Sequence, residues 1–379
     1  MTRKADAKKL KAKERGKFDI TFFSVVLIIL TIGLVMLFSA SYAYSYAKYG
    51  DSYKFIIRQA AFAAAGVVAM LIVSKIDYHF WRKFSWIVFF ITIAMLIFLL
   101  AVPPMVEGMQ VKRWIVLGPV NFQPSEVAKF AIILLFSSLI AANQKLMKDI
   151  RFILFLVAVL GATCVLIMLE PHLSATVLVF AIGVVLLVVG GLPKWCIFAG
   201  SAVAVGGFSL ILFSDIIGYS SDRITYWRDP WAAPLAEGFQ TIQSLLAIGS
   251  GGIFGRGIGQ SRQKYLWVPE PHNDFIFSIT CEELGLIGAM VIICLFAILV
   301  WRGFTIAMRA ADKFGSLLAI GLTFQVGLQA MLNIWVVTNT IPNTGISLPF
   351  FSYGGTSLLI LLAEMGIVLS VSRSANIDK

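Results

Sequence analysis

MTRKADAKKLKAKERGKFDITFFSVVLIILTIGLVMLFSASYA, residues 1–43, is the stretch on which the fold class turns. Eight Lys and Arg crowd the first 18 positions, and an apolar run fills 20–43. A run of this kind exceeds the roughly 20 residues that a helix needs to cross a bilayer. A signal peptide would have a shorter apolar core and an A-x-A cleavage site. Neither is present, so the run is expected to stay as an uncleaved first helix with its basic head in the cytoplasm.

Working outward, further apolar runs occupy 55–74, 84–102, 125–142, 152–169, 172–190, 194–213, 273–300, 316–340 and 353–372. Ten spans place both termini on the same, cytoplasmic, side. The loops agree: under this topology 20 Lys and Arg fall inside and 11 outside, the bias that sets membrane orientation. Composition points the same way, with 59% of the 379 residues apolar and only 13% charged. An ordinary soluble domain carries roughly 25% charged residues. A soluble globular fold is therefore excluded, and the net charge of +11 reads as topology rather than as a nucleic-acid surface. The expected architecture is an all-α polytopic membrane protein. It has a basic tail at 1–18, a ten-helix membrane domain at 19–372 and a short cytoplasmic tail at 373–379. The four cysteines have no framework or zinc spacing, and the three histidines have no HxxxH arrangement.

One connection is long. Residues 214–272 join the seventh and eighth spans on the extracytoplasmic side. Trp227, Trp231, Phe239, Leu245, Leu246, Tyr265 and Trp267 suit packing or a membrane interface rather than disorder. Residues 238–248 read as a short amphipathic helix. The glycine-rich GSGGIFGRGIG at 249–259 matches no nucleotide-binding spacing and reads as a close-packed turn segment.

Ionisable groups near a bilayer are costly, so their clustering is informative. Here they gather at the extracytoplasmic span ends: Lys112-Arg113-Trp114, QPSEVAK at 123–129, Glu170-Pro171-His172, Arg223 and Arg228, PEPHND at 269–274, and NTIPNTG at 339–345 with SYGGTS at 352–357. In QPSEVAK, Pro124 suits the first helical position and Glu126 the first turn, with Lys129 on the same face. A capped helix with an internal ion pair and a functional pair fit equally, although a lysine inside an apolar span demands a partner or a cavity. Asp274 is expected in the first turn of the eighth span, with Ser278, Cys281 and Gly285 along its face, Glu282 to one side and Glu283 pointing away. That stripe would leave room for a substrate groove, and a plain N-terminal cap is the alternative.

Over essentially its whole length the sequence resembles the SEDS family of bacterial cell-envelope proteins, FtsW/RodA/SpoVE. The matching pieces are Arg113-Trp114 with QPSEVAK, DRITYWRDPW at 222–231, GFQTIQSLLAIGSGG at 238–252, PEPHNDFIFSITCEELG at 269–285 and NTGISLPFFSYGGTSL at 343–358. One departure is Glu170-Pro171-His172-Leu173, where the family often has QPD, so a role attached to that aspartate does not carry over to His172.

The resemblance implies a peptidoglycan glycosyltransferase of the bacterial cytoplasmic membrane. Such an enzyme polymerises lipid II with a class B penicillin-binding protein and other division or elongation membrane proteins as partners. It further implies Asp274 as the catalytic group and Arg113, Glu126 and Lys129 at a central cavity. Arg223, Arg228 and Ser352 complete the expected substrate-binding set. The chemistry needs one base to take the proton of the attacking hydroxyl, and cations to hold a pyrophosphate leaving group. A divalent cation, Mg2+ or Mn2+, is a possible sharer of that task. The rival readings are a lipid II flippase, which needs polar groups on both halves of its route, and a scaffold that recruits division proteins.

Overall fold

The computed structural model describes residue 16 and residues 18–103, 113–118, 120–197, 225–236 and 238–375. Its helices are α1 (Ile20–Tyr49), α2 (Lys54–Lys75), α3 (Ser85–Ala101), α4 (Pro124–Ala142), α5 (Ile150–Leu169), α6 (Leu173–Gly190), α7 (Phe239–Gly251), α8 (Ile276–Met308), α9 (Lys313–Val337) and α10 (Gly355–Ser372). An antiparallel hairpin, β1 (Ile115–Leu117) and β2 (Val120–Phe122), precedes α4 and was not foreseen in the sequence.

All of these helices except α3 and α7 are long and apolar enough to cross a membrane, eight in number, and α3 is an apolar helix of 17 residues. The protein is an all-α polytopic membrane protein. Nine of the ten expected spans correspond to these helices. The seventh, 194–213, lies outside the described residues from 198 onward, as do the basic head apart from Gly16 and Phe18, residues 214–224 of the long loop, and the last four residues. Helix α7 is the amphipathic helix of the long loop, not a span.

The two ends of the chain meet. Gly16 N donates to Arg373 O at 3.0 Å, and Asp19 N donates to Ser372 Oγ at 3.0 Å. Asp19 also caps α1 through Phe22 N at 2.8 Å and pairs with Arg302 at 2.8 Å. The described ends of the chain, at Gly16 and Arg373, therefore sit together at one end of the bundle.

Helices α4, α9 and α10 are the most enclosed, and the others wrap them. Close approach needs small residues, since lipid supplies no hydrophobic drive between helices. At the α2–α10 crossing, a Cβ on Gly366 would meet Met70 O at 2.6 Å.

Helix α8 is broken at Gly285, whose φ of 67° and ψ of −170° suit glycine alone. The backbone groups freed by the break pair with the glycine-rich segment. Arg256 N and Gly257 N donate to Glu282 O and Glu283 O at 3.0 Å each, and Leu286 N donates to Gly252 O at 2.9 Å. Side chains add to this seam. The Glu283 carboxylate takes Lys264 at 3.0 Å and Ser39 at 2.7 Å, while that of Glu282 takes Ser261 Oγ at 2.5 Å and Arg262 N at 3.0 Å. The expected close-packed turn at 249–259 is thus a backbone splice into a broken helix, an arrangement tolerated at membrane depth only where protein covers it.

Gly366→Leu is expected to force α2 and α10 apart and cost about 1–3 kcal/mol, read as a lowered thermal midpoint in detergent. An unchanged midpoint would mean that the crossing is looser than described.

Candidate functional site

At the end of the bundle opposite the termini lies a cavity of about 270 Å³. Arg113, Glu126, His172, Asp274, Gln329 and Ser352 line it, with the segment from Gly345 to Gly354 forming one wall. Four sequence-expected residues, Arg113, Glu126, Asp274 and Ser352, are therefore brought to one space by elements distant in the chain, and His172 joins them.

Asp274 is displayed by its backbone. Three successive carbonyls are each held from elsewhere: His272 O by Tyr353 N at 2.9 Å, Asn273 O by Ser352 Oγ at 2.8 Å, and Asp274 O by Asn333 Nδ2 at 2.7 Å. Its carboxylate lies against Gly345, where a Cβ would stand 3.5 Å from Oδ2 and where the φ of 68° favours glycine. Two expectations need correction. Helix α8 starts at Ile276 with Phe275 as its N-cap and no side-chain cap bond, so Asp274 stands before the first turn and does not cap it. Ser278 and Cys281 are buried and do not line the cavity, so the stripe is not the wall of that groove. Burial pushes the Asp274 carboxyl up to about 6, and the nearby Glu270 charge adds to the rise.

The basic partners are arranged in depth. Lys129 is buried and bonds Glu126 at 2.9 Å and Gln329 Oε1 at 3.0 Å. Gln329 Nε2 in turn donates to Ser347 O at 3.0 Å and Ser347 Oγ at 3.1 Å. Arg113 donates to Pro171 O at the cavity mouth. Beside it Glu170 is buried, with no hydrogen-bond partner for either carboxyl oxygen among the described residues. Burial raises Glu170 to about 8, against the pull of Arg113. His172 is lowered to about 3 by burial, then by Arg113 and Lys129, and so is neutral. Its Nδ1 faces Ser125 Oγ at 3.2 Å and Gln123 Nε2 at 3.4 Å.

Ser352 has its hydroxyl committed: it donates to Asn273 O and accepts from Leu348 N at 2.7 Å. Arg228 is exposed and does not reach the cavity wall, and Arg223 lies outside the described residues. Sequence reading missed Gln329 and Asn333, and also Glu364, a buried carboxyl in α10 bonded by Gln325 at 3.0 Å. The available signal was the spacing of four from Gln325 to Gln329 to Asn333, one polar stripe down an apolar helix.

A second chamber of about 480 Å³ adjoins the first and shares Trp114, Asn273, Tyr353 and Gly354 with it. Tyr44, Phe55 and His272 pack together within it as tilted rings, with centroids at 4.3 Å for Phe55–His272 and 4.9 Å for Tyr44–His272, and Lys48 and Arg58 stand on its wall. Among the described residues no group of three or more His, Cys, Asp or Glu converges to hold a metal ion.

The family model described as "Cell cycle protein", FTSW_RODA_SPOVE, matches residues 19–377. The chain belongs to this family. It is 41% identical over 358 residues to Stage V sporulation protein E of Bacillus subtilis (strain 168), covering 94% of this chain and 97% of that one. It is 37% identical over 358 residues to the probable peptidoglycan glycosyltransferase FtsW of Geobacter sp. (strain M18), covering 94% and 96%. Among solved structures, it resembles the rod-shape-determining protein RodA of Thermus thermophilus with TM-score 0.70 and 25% identity, over 95% of this chain and 98% of that one. It also resembles a chain of a peptidoglycan synthase complex with TM-score 0.78 and 24% identity, over 95% and 99%, a likeness of fold.

Because the raised Asp274 carboxyl is ionised only above about pH 6, an activity that uses it as a base is expected to fall about tenfold per unit below that value. A pH–rate profile of the purified protein, flat down to about pH 4.5, would contradict the burial described for Asp274.

Proposed function

We propose that this chain is a peptidoglycan glycosyltransferase that polymerises lipid II at the outer face of the bacterial cytoplasmic membrane, with Asp274 as general base. The observation that carries this reading is that Asp274, raised by burial, shares one cavity with Arg113 and with Glu126, behind which the buried Lys129 is paired. The names of the FtsW relatives and the membership of the family support it.

In the reaction, the 4-hydroxyl of one lipid-linked disaccharide attacks the anomeric carbon of another. Asp274 takes the hydroxyl proton, a β-1,4 C–O bond forms with inversion, and the anomeric C–O bond breaks with its electron pair leaving on the undecaprenyl pyrophosphate. That group leaves readily, so no second carboxyl need act as acid, unlike the paired acids of glycosidases. Arg113 is placed to meet the pyrophosphate charge. Lys129 contributes by exchanging Glu126 for phosphate. Arg223 and Arg228, on the long loop, are assigned to the incoming headgroup. Ser352 serves the substrate by holding Asn273 beside it. Two adjoining chambers with a shared wall suit a reaction between two lipid-linked sugars, and the aromatic rings of the second are the sort of surface on which sugars stack.

Among the described residues no three His, Cys, Asp or Glu side chains converge on a metal, so a Mg2+ or Mn2+ ion sharing the task would take its oxygens from the substrate phosphates and water, as magnesium commonly does. Such an ion would stabilise charge on the leaving pyrophosphate. The chain is further assigned a class B penicillin-binding protein and other division or elongation membrane proteins as partners. The resemblance to a chain of a synthase complex that coordinates polymerisation and crosslinking is in keeping with this. Cytoplasmic termini follow from the Lys and Arg bias and put the cavity on the outer side. A flippase reading is less well served, since the described charges lining cavities stand at one end of the bundle.

Asp274→Asn protein is expected to fold and insert normally yet make no glycan from lipid II, scored by gel after reconstitution with its partner. Normal polymer from that variant would remove Asp274 as base. Transfer of labelled lipid II between leaflets without polymer would favour the flippase.

A further inference from the structure

Helix α9 carries Gln329 and Asn333 one turn apart, on one face. Each side-chain amide bridges two things. Asn333 Nδ2 donates to Asp274 O at 2.7 Å and to Ile346 O at 2.6 Å. Gln329 accepts from Lys129 Nζ at 3.0 Å and donates to Ser347 at 3.0 Å and 3.1 Å. The second anchor of each is thus one of two consecutive residues, Ile346 and Ser347, in the segment that walls the cavity. Asn333 is fully buried and Gln329 nearly so. An amide in the apolar interior is costly unless bonded, and Asn333 Oδ1 has no partner among the described residues. Its two Nδ2 hydrogen bonds are therefore what the structure obtains for that cost.

We propose that Asn333 and Gln329 are a pair of positioning residues that set the spacing between the catalytic base and the buried cation, each tying one of them to the same segment. Asn333 lies off the cavity wall, and Gln329, though part of that wall, has both ends of its amide already bonded. Asn333 acts through Asp274, and Gln329 acts through Lys129. Because the two amides are offset by one helical turn, about 6 Å along α9, the helix itself serves as the ruler. The inference rests on the reading of Asp274 as base and of Lys129 as a pyrophosphate ligand.

The two members should fail differently. The base is needed in the transition state, whereas the cation also holds the ground-state substrate. Full-length Asn333→Ala and Gln329→Ala proteins, reconstituted with the partner, would be assayed with lipid II over a range of concentration and pH. For Asn333→Ala, kcat is expected to fall about 100-fold, the loss typical of a misplacement of about 1 Å, with KM little changed. Its acid limb should move down from about pH 6, as a loosened carboxyl regains water. For Gln329→Ala, KM is expected to rise with kcat and the acid limb little changed. Where Asn333→Ala lowers the thermal midpoint too far to assay, Asn333→Ser, which keeps one donor, should show the same limb shift with a smaller loss of kcat.

Equal losses in both variants with an unmoved acid limb would mean simple destabilisation and overturn the proposal, as would wild-type kinetics in either. The Asp274→Asn control separates the levels. An active Asp274→Asn overturns the function itself. An inactive one beside kinetically normal Asn333 variants overturns the positioning role alone.

Discussion

Three consecutive peptide carbonyls, those of His272, Asn273 and Asp274, accept hydrogen bonds from three separate donors, and the remaining arrangement of the site depends on this. A short segment ahead of a helix would ordinarily present its side chains loosely. With each carbonyl fixed, the Asp274 side chain has one place to go, against Gly345 and into the cavity. The donors come from α9 and from the 346–354 segment ahead of α10, so the packing of those enclosed helices sets the position of the acid. Broken and irregular backbone of this kind survives near a membrane only where protein covers it, and the α8 splice at Gly285 solves the same problem a few turns further along.

Electrostatics follow from that frame. A lone ammonium inside a span would be costly, and Lys129 is held by a carboxylate and an amide instead. Removing one partner of such a buried pair leaves an uncompensated charge, which is worse than lacking both. Asp274 differs in having no cation bonded to it among the described residues. Its carboxyl accordingly rises toward the range in which a base can take and release a proton near neutral pH. Two acids at one cavity are thus driven to different tasks by their neighbours, Glu126 by Lys129 and Asp274 by burial.

The spans were legible because hydrophobic runs of bilayer length leave little choice, and nine of them coincide with helices to within several residues. The amphipathic α7 was legible for a similar reason. The β1–β2 hairpin was not, since two strands of three residues carry no period to read. Among the site residues, Arg113, Glu126 and Asp274 stood out as charges at span ends. Gln329, Asn333 and Glu364 escaped because each is a single polar residue in an apolar helix, and only their spacing, checked against a neighbour, gives them meaning. Glu282 and Glu283, placed beside and away from the Asp274 stripe by helical geometry, turned out to anchor the long loop. A helical wheel takes no account of a loop returning across a broken helix. Ser352, expected at the substrate, lines the cavity with its hydroxyl taken by two backbone partners.

The most direct test is a structure of the inactive Asp274→Asn protein with a lipid-linked disaccharide substrate bound. The account predicts a sugar hydroxyl within about 3.2 Å of the residue 274 side chain, hydrogen-bond reach for a general base, and the pyrophosphate near Arg113. A sugar bound with its hydroxyls turned from residue 274, or that side chain directed into lipid, would contradict it.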